Sequence, residues 1–187
     1  NNSSKFNLRV IADFAEQIFL IVLFIWLCLR LLPDDFPPIP LFIFLVLLSE
    51  SIVLIVVILR RRTVRISLKP SDWAFAIAGT VTVLLVGKGG APLLPDIGAG
   101  IVFVGILIHV GAKLSLRRSF GIVPADRGVK TDGLYRFVRH PMYFGYFISH
   151  MGFLIAAPSL WNLIIYVLTW VFLGVRITRE ERLLSEN

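Results

Sequence analysis

One stretch in the last third of the chain gathers residues able to handle an ionic ligand. Asp132-Gly133-Leu134-Tyr135 has the composition of a turn, Arg136 and Arg139 follow it, and His140-Pro141 stands where a helix would open. Proline suits the first helical position, because the N–H that it lacks would find no partner there. The opening turn of a helix presents free backbone N–H groups and the positive end of the helix dipole. A carboxylate or phosphate can therefore be seated at Pro141 with Arg139 beside it. The same residues could instead anchor the chain at a membrane surface, with snorkelling arginines and an aromatic belt from Tyr135, Tyr143 and Tyr146.

A second group lies in the tail from Arg176 to Glu186. If the last apolar run continues as a helix past Val175, a rotation of about 100° per residue puts Leu173, Ile177 and Leu184 on one stripe. Glu180 and Glu181 flank that stripe, while Arg179 and Arg182 point away from it. Carboxylates sit poorly at a helix C-terminus, where the dipole disfavours negative charge. Two of them facing inward imply a cationic or hydroxyl-rich neighbour, which could be a ligand or the side chains of Arg136 or Arg139.

Other familiar sites are absent. Gly87-Lys88 is followed by Gly89 rather than Ser or Thr, so it is no P-loop, and no G-x-G-x-x-G follows a strand. His109, His140 and His150 lack zinc-site spacing and cysteine partners, and no metal is expected. The single cysteine, Cys28, excludes a disulfide framework.

The elements that must position these groups are membrane helices. Hydrophobic residues make up 57% of the 187 and charged residues 17%, and the mean hydropathy is +0.82, which excludes an ordinary soluble domain. The net charge of +7 comes from residues at the ends of long apolar runs, so it reads as a membrane signature and not as a nucleic-acid surface. About 20 apolar residues cross a bilayer as a helix. On that measure the sequence predicts an all-α integral membrane protein of about six transmembrane helices. They run from Val10 to Leu32, Ile39 to Leu59, Trp73 to Val86 and Ile97 to Leu116, followed by two short helices within Met142 to Val175 folded as a hairpin at Ala157-Pro158-Ser159. Pro33-Asp34-Asp35-Phe36-Pro37-Pro38 must end the first. Lys and Arg test this division: 17 of the 19 fall in alternate connections, and only Arg30 and Lys88 lie toward the other side. Both termini are therefore expected in the cytoplasm. The chain reads as a single membrane domain, with the first two helices (1–70) accessory and the remainder (71–187) carrying the site in segments 116–145 and 176–186. It begins without Met, and it reads as a trimmed piece of a longer protein.

Gly133-x-Tyr135-x-x-x-Arg139-His140-Pro141-x-Tyr143-x-Gly145, an apolar hairpin, and then Glu180-Glu181 resemble the superfamily of isoprenylcysteine carboxyl methyltransferases and phospholipid methyltransferases. Ser119-Phe120-Gly121 is similar to the family's linker into the motif, and the resemblance covers about the last 80 residues. It implies an integral-membrane methyltransferase that uses S-adenosylmethionine. Tyr135, Arg139, His140, Pro141, Tyr143, Gly145, Glu180 and Glu181 would bind the cofactor, with Arg139, Tyr143 and Glu181 catalytic. Members usually continue past the paired glutamates with a further basic and aromatic segment.

The residues suit that cofactor independently. An arginine and a helix start match its carboxylate, and a glutamate can accept from its ammonium or ribose hydroxyls. The acceptor would be a lipophilic or lipidated molecule, or a membrane lipid, entering sideways from the bilayer. A prenylcysteine-like carboxylate needs no general base, whereas the ammonium of phosphatidylethanolamine must first lose a proton. Candidate bases exist. At about 1.5 Å per residue, Glu50, His109 and His150 all lie roughly 12–14 Å below their helix ends, either as functional groups or as a buried hydrogen-bonded knot. A non-enzymatic alternative has His109 and His150 ligating a haem in a membrane anchor subunit.

Overall fold

The computed structural model describes residues 2–31, 41–63, 65–87, 89–128 and 131–185. The helix break at Pro33 to Pro38, Lys88 and Glu186 lie outside the described residues. Six α-helices are present among them: α1 (Asn2–Leu31), α2 (Leu41–Ile58), α3 (Pro70–Val81), α4 (Pro95–Leu116), α5 (Pro141–Ala156) and α6 (Leu160–Ser185). A 3-10 turn, Thr82–Leu85, extends α3. No strand is assigned among the described residues beyond an isolated bridge between Ile66 and Ala125. Proline opens α3, α4 and α5, as expected where the first N–H has no partner.

The predicted all-helical class holds, with two differences in extent. Helix α1 starts well before Val10, because its first turns are polar and would stand outside an apolar layer. The second arm of the terminal hairpin is not short: α6 runs 26 residues, carrying Glu180 and Glu181 on regular helix as the stripe arithmetic required. Three helical stretches, Phe6–Arg30, Pro95–Ser119 and Leu160–Leu183, are long and apolar enough to cross a membrane. Ile18, Val22 and Leu29 on α1, Leu107 and Leu114 on α4, and Ile164 and Val171 on α6 are all exposed. An apolar surface of that extent suits lipid rather than water.

The closest packing is between α4 and α5, and it depends on glycines seven residues apart on each helix, Gly98 and Gly105 facing Gly145 and Gly152. A Cβ on Gly145 would stand 2.7 Å from the backbone nitrogen of His109, and one on Gly152 would stand 2.6 Å from that of Val102. Bare backbone on both sides lets the helices touch directly, a common device where no hydrophobic effect draws helices together. Beside this pair, α1 packs on α2 and α3 on α6.

At the basic end of the bundle, α4 stops at Leu116 and Arg117 takes φ of 50° to turn the chain away. The segment that follows meets the connection between α2 and α3. Ser67 N donates to Pro124 O (3.0 Å) and Asp126 N to Arg65 O (2.9 Å), an antiparallel pairing around the Ile66–Ala125 bridge, and Arg61 N donates to Arg118 O (2.6 Å) outside that register. The second of these connections lines one pocket together with the motif residues.

Candidate cofactor pocket and the polar layer below it

The turn read at Asp132 to Tyr135 is a short 3-10 helix, Gly133–Arg136, with Gly133 at φ of 61°. It leads into His140, the residue capping α5, and Pro141 at the first helical position. Three elements therefore converge on one pocket at the basic end. The 3-10 turn supplies Tyr135, the start of α5 supplies Arg139, His140, Met142 and Tyr143, and α6 supplies Arg176 and Glu180. The remaining wall, which includes Ser119, Gly121, Arg127 and Gly128, comes from the segment after α4.

Most predicted site residues are thus brought together, but not all in the same way. The hydroxyl of Tyr143 makes a long 3.5 Å hydrogen bond to Glu180 Oε2. His140 donates through Nε2 to Glu181 Oε1 at 2.9 Å, so Glu181 reaches the pocket through the imidazole, and its own side chain is 47% exposed. The inward carboxylate is Glu180, and the partner of Glu181 is a histidine rather than Arg136 or Arg139. Pro141 and Gly145 do not line the pocket. Pro141 is buried at the start of α5, and Gly145 faces α4. Arg179 does point away, to Asp72 and Ser71 on α3 and over the ring of Phe75. Burial, reinforced by the nearby Glu180 carboxylate, pushes the Tyr135 hydroxyl above its ordinary range, so it stays a neutral donor.

Two cations of the pocket, Arg127 and Arg176, are not among the site residues predicted from the sequence. Arg127 and Arg176 are 7% and 5% exposed, and each keeps a buried Nε–H without a hydrogen-bond partner. Arg176 donates to Gly121 O (2.7 Å) and stands over the ring of Tyr143. Counting from the paired glutamates would have found it: Arg176 precedes Glu180 by four residues, one helical turn, and so shares its face. Arg127 could not be found that way, because it lies in a connection without periodicity.

Below the pocket, the three groups expected at one depth do gather. Ser49 Oγ lies 2.7 Å from His109 Nε2 and accepts from Lys113 Nζ (3.1 Å), which is 3.5 Å from Glu50 Oε1. Trp170 Nε1 donates to His150 Nδ1 at 3.1 Å, and the ring of Tyr146 contacts both His109 and His150. Lys113, counted at first with the basic connections, is a fully buried residue of α4. The two histidines do not face a common open space, since Tyr146 stands against both. No group of three metal-ligating side chains occurs among the described residues.

Residues 99–186 match the model of the isoprenylcysteine carboxyl methyltransferase family. Over 88 residues the chain is 32% identical to the protein-S-isoprenylcysteine O-methyltransferase of Schizosaccharomyces pombe. That alignment covers 44% of this chain and 37% of the relative's length. No solved structure matches. The pocket residues from Tyr135 to Tyr143, with Arg176 and Glu180, all fall inside the matched region, which α1 to α3 do not enter. The family match and the curated relative together support an isoprenylcysteine carboxyl methyltransferase-like family for this chain, through its C-terminal half.

Proposed function

We propose that the chain is an S-adenosylmethionine-dependent methyltransferase acting at the cytoplasmic edge of a membrane on a lipophilic acceptor that bears a carboxylate. The observation that carries this reading is a junction. The polar pocket shares Met142 and Arg176 with a second cavity among the helices, whose walls include Leu23, Phe24, Leu27, Leu84 and Leu173. A soluble donor and an apolar acceptor would meet at the two shared residues.

When bound, S-adenosylmethionine supplies a methyl group on a sulfonium, with a carboxylate, an ammonium and ribose hydroxyls as handles. The donor set fits those handles. Arg139 and the start of α5 suit the carboxylate, and Glu180 accepts from the ammonium or the hydroxyls. Arg127 and Arg176 add two guanidiniums to the pocket wall. Tyr135 and Tyr143 wall the pocket, and Glu181 holds His140 in place. Arg176 orients the acceptor carboxylate at the junction, where no proton has to be removed. Alignment and exclusion of water by Met142 and Tyr143 then supply most of the rate.

Amine methylation is the second reading, because Glu50 and His150 line the apolar cavity. Glu50 is held by Lys113, however, and His150 already accepts from Trp170, so neither stands as a free base. The concentration of basic residues at the pocket end supports its cytoplasmic orientation, with both termini on that side. A reporter fused at Pro92 should accordingly be non-cytoplasmic and one at Arg127 cytoplasmic; the opposite pattern would turn the pocket away from its donor.

Incubation with methyl-labelled S-adenosylmethionine, a native lipid extract and a prenylcysteine acid tests the chemistry. Label released as methanol by alkali marks a carboxyl ester and supports the first reading. Alkali-stable label on phosphatidylethanolamine would replace it with the second. No transfer to either acceptor, with no binding of the donor, would remove both.

A further inference from the structure

Helix α1 lies outside the family-matched region, yet its charged face closes on the wall of the pocket. Asp13 and Glu16, three residues apart and so on one face of the helix, meet Arg60 from the end of α2 and Arg127 from the pocket wall. The four side chains are 0–3% exposed, and two carboxylates balance two guanidiniums. Glu16 does more than pair. Its Oε2 accepts from Arg60 (2.8 Å) and Arg127 (2.6 Å), while its Oε1 accepts from the backbone N–H groups of Ile122 (2.6 Å) and Val123 (2.8 Å). A Cβ on Gly121 would stand 3.1 Å from that same Oε1 and 2.8 Å from Arg127 Cζ, so a side chain there would displace the Arg127 guanidinium. The carbonyl of Gly121 in turn receives Arg176.

A buried ionic cluster contributes little net stability over well-packed apolar residues, and its better-attested use is to specify one arrangement. Here that arrangement is of the two cations lining the pocket. We propose that Glu16, together with Asp13, is a positioning residue for the cofactor pocket, fixing from α1 the 119–128 wall and, through it, the guanidiniums of Arg127 and Arg176. The ligand's identity rests on the methyltransferase reading; the positioning of the wall does not. The first helix is then part of the binding apparatus rather than an accessory to it.

The test compares Glu16→Gln, Glu16→Asp and Leu20→Ala in the full chain in detergent micelles. Leu20 is fully buried one turn along α1, in the apolar cluster that also holds Ile122 and Val123, and it carries no polar group, so its truncation reports lost packing without lost charge. Glu16→Asp keeps the charge but shortens the reach, and it remains informative if Glu16→Gln does not fold. Hydrogen exchange at Ile122 and Val123 and S-adenosylmethionine affinity are both read. Both Glu16 variants should speed exchange across 119–128 and raise the Kd about tenfold or more, with rescue neither by detergent nor by temperature. Leu20→Ala should lower the melting temperature and move both readouts much less than either Glu16 variant. Unchanged exchange in a folded Glu16→Asp protein, or equal effects from Leu20→Ala, would overturn the proposal. A wild-type protein that fails to bind S-adenosylmethionine, while exchange at the wall still responds to Glu16 alone, would remove the cofactor reading and support the positioning role.

Discussion

The pocket at the start of α5 and the polar layer beneath it draw on the same helices and much the same residue types, but their groups are satisfied differently. In the layer most polar atoms answer another protein atom: Lys113 holds Glu50 and Ser49, Ser49 meets His109 Nε2, and Trp170 covers His150, with His109 Nδ1 left unpartnered. In the pocket, Arg139 stands at the surface and Glu180 has only a long contact to Tyr143. Groups that answer one another hold helices together, whereas exposed or weakly held groups around one volume are open to a further partner. Burial alone therefore does not separate the two regions; exposure and weak pairing do.

The largest expected effect that sharpens this contrast is on the layer. Lys113→Met strands Glu50 and removes a donor from Ser49, so it should cost about 3–5 kcal/mol of stability, measured by thermal or denaturant unfolding in micelles. S-adenosylmethionine binding by the fraction that remains folded should be unchanged. Loss of binding with intact stability would reverse the assignment of the two regions.

Next come the pocket residues. Arg139→Ala and Glu180→Gln should each weaken S-adenosylmethionine binding by about 1.5–3 kcal/mol in calorimetric titration, with little change in unfolding. Glu181→Gln, acting through His140, should weaken it less. Superimposable titration curves for Arg139→Ala and Glu180→Gln would return these side chains to membrane anchorage.

The smallest effect is expected at His150, whose replacement by Asn should leave the pH profile of turnover flat on its acidic side. If an amine is the acceptor and His150 its base, the rate should instead fall on the order of 10²–10⁴ and an acidic limb should vanish. That result in a folded variant would make the layer part of the chemistry and end the contrast drawn above.

How much of this was legible beforehand follows from which patterns are local. Apolar runs, proline at helix starts and the alternation of basic connections are written in consecutive residues, so the six helices could be read to within a few positions, except at the polar beginning of α1 and the far end of α6. The motif from Tyr135 to Tyr143 is equally local, and helical arithmetic extended it to Glu180, which lines the same pocket. That Glu180 rather than Glu181 faces inward lay beyond that arithmetic, which put the two on either side of one stripe. The side of the stripe that meets the pocket depends on how α6 is rotated against α3. Gly145 was legible as a fixed position but not as a packing surface, because its meaning depends on Gly105 and His109 of another helix.

Residue types and their order along the chain were enough to place it in a membrane, to count its helices and to single out the motif, because hydropathy and helix-start chemistry act over a few residues. Arg127 and Glu16 belong to a different category. They are separated by 111 residues in a sequence where neither stands out, and they meet only because α1 packs on α2 while the connections that follow α2 and α4 pair with each other. A buried charge finds its counter-charge through space and not along the chain, since low dielectric makes any unpaired arrangement prohibitive. For that reason the cationic wall of the pocket, and the carboxylates that hold it, became visible only once the helices were assembled.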